Sequence, residues 1–352
     1  MSVMKIWYSL YTLKPQAGKS PPRRSQVGAL GTSADQVKED NRNREGALLR
    51  ILWADGCLGY SDCFPWPEYG DRGVTEELHQ LAKGRLSPLL EQSFWLARRD
   101  GVARKEKRHL LRKLPRVKNS LLILDVASFN EDLLGDAKRV GFTSAKVKVG
   151  NDPDKEFALI DRLIRMLGFT VRLDFNSKGT FDGVQKFLER FQPAIKPFIE
   201  YIEDPFPFDP VDWREINRLV PLALDWEWRS VNWERFVVEA PFKVIIIKPA
   251  RQDVPSAIEL MNRHGLRMVI TSSLDHPVGI MHAAAVAGEA KKTFPNKLLD
   301  CGCFTHLAYQ ANEFAKLLPR QGPYISETPG YGVGFDEALG KCQWVELAVP
   351  KS

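Results

Sequence analysis

Acids and lysines recur through the middle of the chain at intervals of 22 to 29 residues, each set standing just past a short apolar run. In order they are Lys146-Val-Lys148, Asp174-Phe-Asn176, Glu203-Asp204, Asp225-Trp-Glu227, Lys248-Pro249 and Thr271-Ser272-Ser273. One such element alone means little, since a Lys-x-Lys is usually a solvated strand face and a carboxylate after a strand often caps the next helix. A repeated ring of them is different, because buried charge is costly unless it pairs or binds a metal. Asp174, Glu203 and Asp225 offer three hard oxygen ligands and leave positions open for water and substrate oxygens. With no cysteine or histidine in the set, Mg²⁺ (or Mn²⁺) suits them better than zinc. Strand alternation sends Lys146 and Lys148 to one side, while Lys248 arrives from a distant strand. Crowding of Lys146, Lys148 and a cation would depress the pKa of Lys148, so that a neutral fraction could accept a proton near pH 7.

What must position these groups is a series of βα units. From Leu121 onward short apolar runs alternate with helix-length amphipathic segments. The runs are Leu121 to Val126, Ser144 to Val149, Thr170 to Phe175, Phe198 to Ile202, Leu222 to Trp226, Phe242 to Ile247, Arg267 to Thr271 and Lys297 to Cys303. Eight in succession favour an α/β fold of the (β/α)₈, TIM-barrel type, in which active-site groups stand at the C-terminal strand ends. No Gly-x-Gly-x-x-Gly follows the first run, which argues against a dinucleotide site. Ahead of the barrel, residues 4–13 and 46–53 read as strands separated by a long polar stretch expected to be a mobile loop. Gly59 to Pro67 reads as extended, Val74 to Trp95 as helical, and the basic segment Arg98 to Lys118 as a helix crossing into the barrel. Residues 1–118 therefore read as an α+β capping domain, completed by the tail 319–352 with its Gly330-Tyr-Gly-Val-Gly334, and residues 119–318 as the barrel.

The 352 residues are 44% hydrophobic and 27% charged, enough for a full core and a smaller second unit. The net charge of +6 is bunched in Pro21 to Arg24, Arg42 to Arg50 and Arg98 to Lys118 rather than spread along one periodic face. That pattern reads as solvated surface, so no nucleic-acid partner is expected, and a small anionic substrate would be attracted. Five cysteines without framework spacing fit a reducing compartment, and Cys301-Gly-Cys303 reads as buried strand residues. No signal-peptide pattern and no apolar run of membrane-spanning length is found, so a soluble cytoplasmic protein without a membrane partner is expected. The six histidines share no strand-end pattern and read as surface or core residues. The tryptophans, Trp226, Trp228 and Trp233 among them, read as packing.

As an ordered set, Lys146-x-Lys148, Asp174-x-Asn176, Glu203-Asp204-Pro205, Asp225 and Lys248-Pro249 resembles the lysine-base branch of the enolase superfamily. That branch holds muconate cycloisomerases, dipeptide epimerases, N-acylamino acid racemases and o-succinylbenzoate synthases, and enolase-superfamily sites pair a Lys or His base with Mg²⁺. The resemblance runs from Lys146 to about Cys303. Within it, Ser272-Ser273-Leu274-Asp275-His276-Pro277-Val278-Gly279 is similar to the Ser-Ser-x-Glu-Ser-x-x-Gly of the o-succinylbenzoate synthases, with Asp275 in place of the glutamate. Lys248, and the lack of a strand-end His-Asp dyad, argue against the mandelate-racemase branch. Asp300-Cys-Gly-Cys303 lacks the Asp-x-Asp with which dipeptide epimerases hold a substrate amine. Family members commonly continue the third ligand as Asp-Glu-Ser, whereas here Trp226 intervenes; the run's alignment favours Asp225, with Glu227 the other choice.

The resemblance implies that Mg²⁺ binds the ring carboxylate of 2-succinyl-6-hydroxy-2,4-cyclohexadiene-1-carboxylate and stabilises the enediolate formed on loss of the α proton. It further implies that Lys148 takes that proton and then assists departure of the ring hydroxyl from the same face. Lys248 would remain a cation on the opposite face, and Lys146 would hold the carboxylate. Asn176 and Glu227 would support the site, while Ser272 and Ser273 would meet the succinyl arm. Two other readings stand beside it. A racemase or epimerase of acylated amino acids would need both lysines as acid and base, and a non-catalytic barrel binding polyanions would depend on the basic segments and on salt.

Overall fold

The computed structural model describes residues 2–16, 43–126, 132–225, 228, 230–236 and 239–348. Most of the polar stretch before residue 43, including Pro21 to Arg24, lies outside the described residues, as do Trp226 and Glu227. β1 (Val3–Leu13) and β2 (Arg44–Trp53) pair antiparallel, Leu13 opposite Arg44 and Val3 opposite Trp53. β3 (Leu58–Cys63) follows through a tight turn at Gly56, whose φ of +79° suits glycine. Two helices cover this sheet, α1 (Val74–Ala82) and α2 (Pro88–Lys105). Leu78, Leu81, Leu89 and Leu90 join Ile6, Leu49 and Ile51 in its core. The helical period expected from Val74 to Trp95 is thus broken in two: Gly84 turns the chain at φ +72°, and Ser87 caps α2 by accepting the Leu90 N–H, with Pro88 in the first turn.

The expected helix over Arg98 to Lys118 is also corrected. α2 ends at Lys105, and Lys107 at φ +52° turns the chain out of the helix. The segment beyond is held by the tail instead. Leu110 N–H donates to the Gly332 carbonyl at 2.7 Å, and Gly332 N–H donates to the Arg108 carbonyl at 2.9 Å.

Seven parallel strands follow in spatial order equal to chain order: β4 (Leu121–Ile123), β5 (Ser144–Lys148), β6 (Thr170–Asp174), β7 (Ile199–Glu203), β8 (Leu222–Leu224), β9 (Val244–Ile247) and β10 (Arg267–Ile270). The helices between them are α3 (Asp132–Arg139), α4 (Pro153–Leu167), α5 (Phe181–Glu189), α6 (Pro210–Leu219) and α7 (Val254–Arg263), and α8 (Pro277–Thr293) follows β10. Asp152, Thr180, Asp209 and Asp253 cap the starts of α4 to α7. The eighth run is not a continuous strand. It closes the ring through isolated bridges, Met268 with Leu298 and Thr271 with Gly302 on one side, Asn119 with Cys301 on the other. At Gly302 a Cβ would lie 2.7 Å from Thr271 Oγ1, so a side chain would push the closing segment away.

Alternation along the strands sorts the wall from the interior. Ala145 and Val147, Val171 and Leu173, Ile245 and Ile247 face the helices, together with Ile160 and Leu163 of α4. Tyr201, Ala223, Val244, Ile246 and Val269 form a separate cluster with the opposite alternation, the interior plug. The buried Arg172 lies 5.2 Å from the Tyr201 ring and donates to Glu200 Oε2 at 2.6 Å and to the Asp300 carbonyl at 2.5 Å. After α8 come α9 (Glu313–Leu317), β11 (Arg320–Gln321), β12 (Tyr324–Ile325), α10 (Asp336–Lys341) and β13 (Val345–Leu347). β13 returns to the first sheet, Leu347 opposite Ile6. Among the described residues no helix is long and apolar enough to cross a membrane.

Two outcomes are expected. At Gly59 a Cβ would stand 1.8 Å from the Ala97 carbonyl oxygen, so Gly59→Ala must separate β3 from α2 and cost about 3 kcal/mol in denaturant unfolding. Burial holds His276 and His282 down at about 3, below the unfolded-chain value. The unfolded chain therefore binds their protons first, and stability is lost as pH falls from about 6.5 toward 3. His282→Gln can still donate to the Tyr60 carbonyl that His282 Nε2 reaches at 2.9 Å. Its melting temperature should fall less between pH 7 and pH 5 than that of the unsubstituted protein.

Candidate active site

Two of the strand ends turn sharply as they deliver their polar groups. Asn176 and Ser177 follow β6 at φ +49° and +59°, and Asp204 follows β7 at φ +40°. These turns are held by side chains: Asp174 Oδ1 accepts the Asn176 N–H at 3.0 Å, and Asp204 Oδ1 accepts the Asp225 N–H at 3.1 Å. The result is one cavity of about 110 Å³ lined by Lys146, Lys148, Asp174, Asn176, Glu203, Asp225, Lys248, Ser272 and Ser273 among others. Of the site residues expected from the chain, only Glu227 lies outside the described residues.

Inside the cavity the acids face lysines. Lys146 Nζ donates to Glu203 Oε1 at 2.6 Å and lies 2.8 Å from Asp174 Oδ2. Lys148 Nζ reaches Asp174 Oδ2 at 2.5 Å and Asn176 Oδ1 at 3.1 Å, and Lys248 Nζ donates to Asp225 Oδ2. Asp174, Glu203 and Asp225, the three expected ligands, thus line one cavity and make four acid–lysine contacts there. Among the described residues no three histidine, cysteine, aspartate or glutamate side chains are grouped to hold a metal ion. Each buried carboxylate faces at least one ammonium, which offsets part of the cost of its burial.

The donor set nevertheless fits a divalent cation. Glu203 Oε2 and Asp225 Oδ1 are buried acceptors without a hydrogen-bond partner, an arrangement that is costly unless a cation or donor meets them. All three acids offer hard oxygen, the ligand type that Mg²⁺ takes.

The lysines are not equivalent. Burial pulls Lys148 below the ordinary lysine value; Asp174 opposes this, and the neighbouring Lys146 adds to it. Burial thus outweighs the crowding by Lys146 that the chain suggested. Lys146 is buried too, but Asp174 and Glu203 hold its proton well above the usual range. In Lys248 burial is likewise overcome, by Asp225 and then Glu203, and its pKa is raised. Burial and the neighbouring Asp174 push Glu203 up to about 7, whereas Lys146 and Lys148 override burial to hold Asp174 low.

The rest of the wall escaped sequence reasoning. Trp66, Tyr69, Leu122, Leu124, Leu274, Phe304 and Thr305 line the same cavity. Trp66 and Tyr69 come from the segment after β3, and that segment is tied to the loop after β9. Arg251 Nη2 pairs with Asp71 Oδ2 at 2.5 Å and Nη1 donates to the Phe64 carbonyl at 3.4 Å, while Asp71 Oδ2 accepts the Trp66 N–H at 2.6 Å. The aromatic Phe64-Pro-Trp-Pro67 bounded by prolines was the only signal. Trp228 sits in the hydrophobic core and the partly buried Trp233 packs against it, as packing residues do.

Solved structures with this fold are capped barrels. A dipeptide epimerase from Cytophaga hutchinsonii, complexed with Mg and D-Ala-L-Val, aligns with a TM-score of 0.69 at 18% identity, over 99% of this chain and 100% of its own. A mandelate racemase/muconate lactonizing protein from Herpetosiphon aurantiacus aligns with a TM-score of 0.70 at 16% identity, over 95% and 97%. The fold is thus shared with these enzymes. In sequence, residues 6–103 match the family described as O-succinylbenzoate synthase, N-terminal domain. The o-succinylbenzoate synthase of Bdellovibrio bacteriovorus is 40% identical over 347 residues, 99% of this chain and all of that protein. The chain belongs to the o-succinylbenzoate synthase family.

The tie between the two loops yields a test. Arg251 and Asp71 form a largely buried pair, with side chains 4% and 16% exposed. Arg251→Met should cost about 3 kcal/mol by stranding Asp71, and adding Asp71→Asn should recover part of that loss, read from urea midpoints.

Proposed function

We propose that the chain catalyses the Mg²⁺-dependent syn-dehydration of 2-succinyl-6-hydroxy-2,4-cyclohexadiene-1-carboxylate to o-succinylbenzoate, a carbon–oxygen lyase reaction of menaquinone biosynthesis in the cytoplasm. Residues 1–118 with 319–352 act as the cap and 119–318 as the barrel. The observation that carries the reading is the placement of the two lysines. Lys148 ends β5 and Lys248 follows β9, three strands intervene, and both line the one cavity with the acids of the intervening strand ends between them.

A divalent cation held by Asp174, Glu203 and Asp225, Mg²⁺ or Mn²⁺, would bind the substrate carboxylate and stabilise negative charge developing on it. Lys148, with its lowered proton affinity, takes the proton from the carbon α to that carboxylate. The same ammonium returns the proton to the ring hydroxyl on that face, the C–O bond breaks, and water leaves as the ring becomes aromatic. Asn176 fixes Lys148 Nζ during both transfers. Lys248, its proton held by Asp225, stays cationic and supplies charge to the opposite face. Lys146 orients the carboxylate, and Ser272 and Ser273 hydrogen-bond the succinyl arm.

Purified protein with the cyclohexadiene substrate should show the ultraviolet absorbance of o-succinylbenzoate, lose the activity to a chelator and regain it with Mg²⁺. Lys148→Ala should lower kcat about 10³-fold, while Lys248→Arg, which keeps the charge, should retain clearly more activity than Lys148→Ala. Absence of o-succinylbenzoate, with deuterium entering an acylamino acid from both faces and Lys248→Arg abolishing it, would instead establish a racemase or epimerase.

A further inference from the structure

The segment Ser272 to Gly279 contains more than its substrate-facing serines. His276 and Gly279 of this segment lie against Tyr11 and Asp62 of the first sheet. Asp62, near the end of β3, is 2% exposed, and its two oxygens are both engaged. Tyr11 of β1 donates its hydroxyl to Asp62 Oδ1 at 2.6 Å, and the His276 N–H donates to Asp62 Oδ2 at 2.9 Å. Asp275 folds back to accept the Ser273 N–H at Oδ2, 3.0 Å away. Between these two contacts Leu274 takes the left-handed φ of +60°, which a branched side chain adopts only when its surroundings enforce it.

The packing leaves no slack around this arrangement. A Cβ on Gly279 would lie 2.7 Å from Asp275 Cβ and 3.0 Å from Asp62 Oδ2, so the glycine of the segment makes room for both carboxyl groups. A Cβ on Gly46 would meet the Tyr11 hydroxyl at 2.3 Å, and the Tyr11 ring lies 4.6 Å from the His276 ring. Burial and the nearby Asp275 raise the Asp62 carboxyl, and burial raises Asp275 to about 6. The hydrogen bonds from Tyr11 and His276 oppose that rise and hold Asp62 from two directions.

We infer that Tyr11 and Asp62 are positioning residues: they clamp the His276 backbone, hold Leu274 in its left-handed conformation, and thereby set the wall of Ser272, Ser273 and Leu274 that receives the succinyl arm. The inference rests on the proposed dehydratase reading for the identity of that arm. The clamp acts on the arm and not on the carboxylate end, which Lys146 and the three acids meet on other strands. Its loss therefore changes recognition of the arm more than the proton transfer at Lys148.

The test compares binding of o-succinylbenzoate with binding of benzoate, which has the carboxylate and ring but no arm, to the full chain with Mg²⁺ by calorimetry. Asp62→Asn presents an NH₂ group to one of two donors, and should weaken o-succinylbenzoate about tenfold while changing benzoate less than about threefold. Tyr11→Phe removes only the hydroxyl, keeps the ring packing, and should shift the same ratio about threefold in the same direction. In turnover the Asp62→Asn defect should appear as a raised KM with a much smaller change in kcat. Equal weakening of both ligands, or an o-succinylbenzoate affinity unchanged in both variants, overturns the clamp. Unsubstituted protein that shows the ligand preference and its loss in the variants, yet does not dehydrate the cyclohexadiene, overturns the dehydratase reading and leaves the clamp standing.

Discussion

Taking a carboxylate out of water costs several kcal/mol unless a cation and hydrogen-bond donors face it. Asp174, Glu203 and Asp225 are placed side by side on adjacent strand ends, each with 2% to 13% of its side chain exposed. Lys146, Lys148 and Lys248 are the local answer, one or more for each acid. The mutual dependence explains why the three lysines differ in proton affinity although all are buried. Lys146 lies between two acids and Lys248 on one, so both are held as cations, whereas Lys148 shares Asp174 with Lys146 and burial prevails.

Such a ring functions only if water is kept from its open end. The barrel interior is plugged from below by Tyr201, Val244, Ile246 and Val269, and the mouth is walled by Trp66 and Tyr69 from the first sheet's side. Polar contacts join the cap to the barrel at that mouth, among them Arg251 with Asp71 and His276 with Asp62. Both anchor on loops that follow β9 and β10, so packing of the cap and geometry of the cavity wall are coupled.

The chain-order spacing of the charged residues was legible because a βα unit has a nearly constant length, and strand alternation alone sends Lys146 and Lys148 to one side. The seven regular strands were found within a few residues of their true limits. The eighth was legible as an apolar run but not as isolated bridges, since its pairing depends on Gly302 fitting against Thr271. Helix ends were misjudged at Gly84 and Lys107, where one left-handed residue outweighs an apolar period that continues past it.

What the sequence by itself determined was the identity and order of the groups around the ring, because periodicity of two and the βα repeat are local properties of the chain. What only the tertiary structure decided was which charge faces which, that Trp66 and Tyr69 complete the wall, and that Asp62 reaches His276 across 214 residues. Those contacts join segments remote in sequence, and their strength comes from burial, which no local pattern encodes.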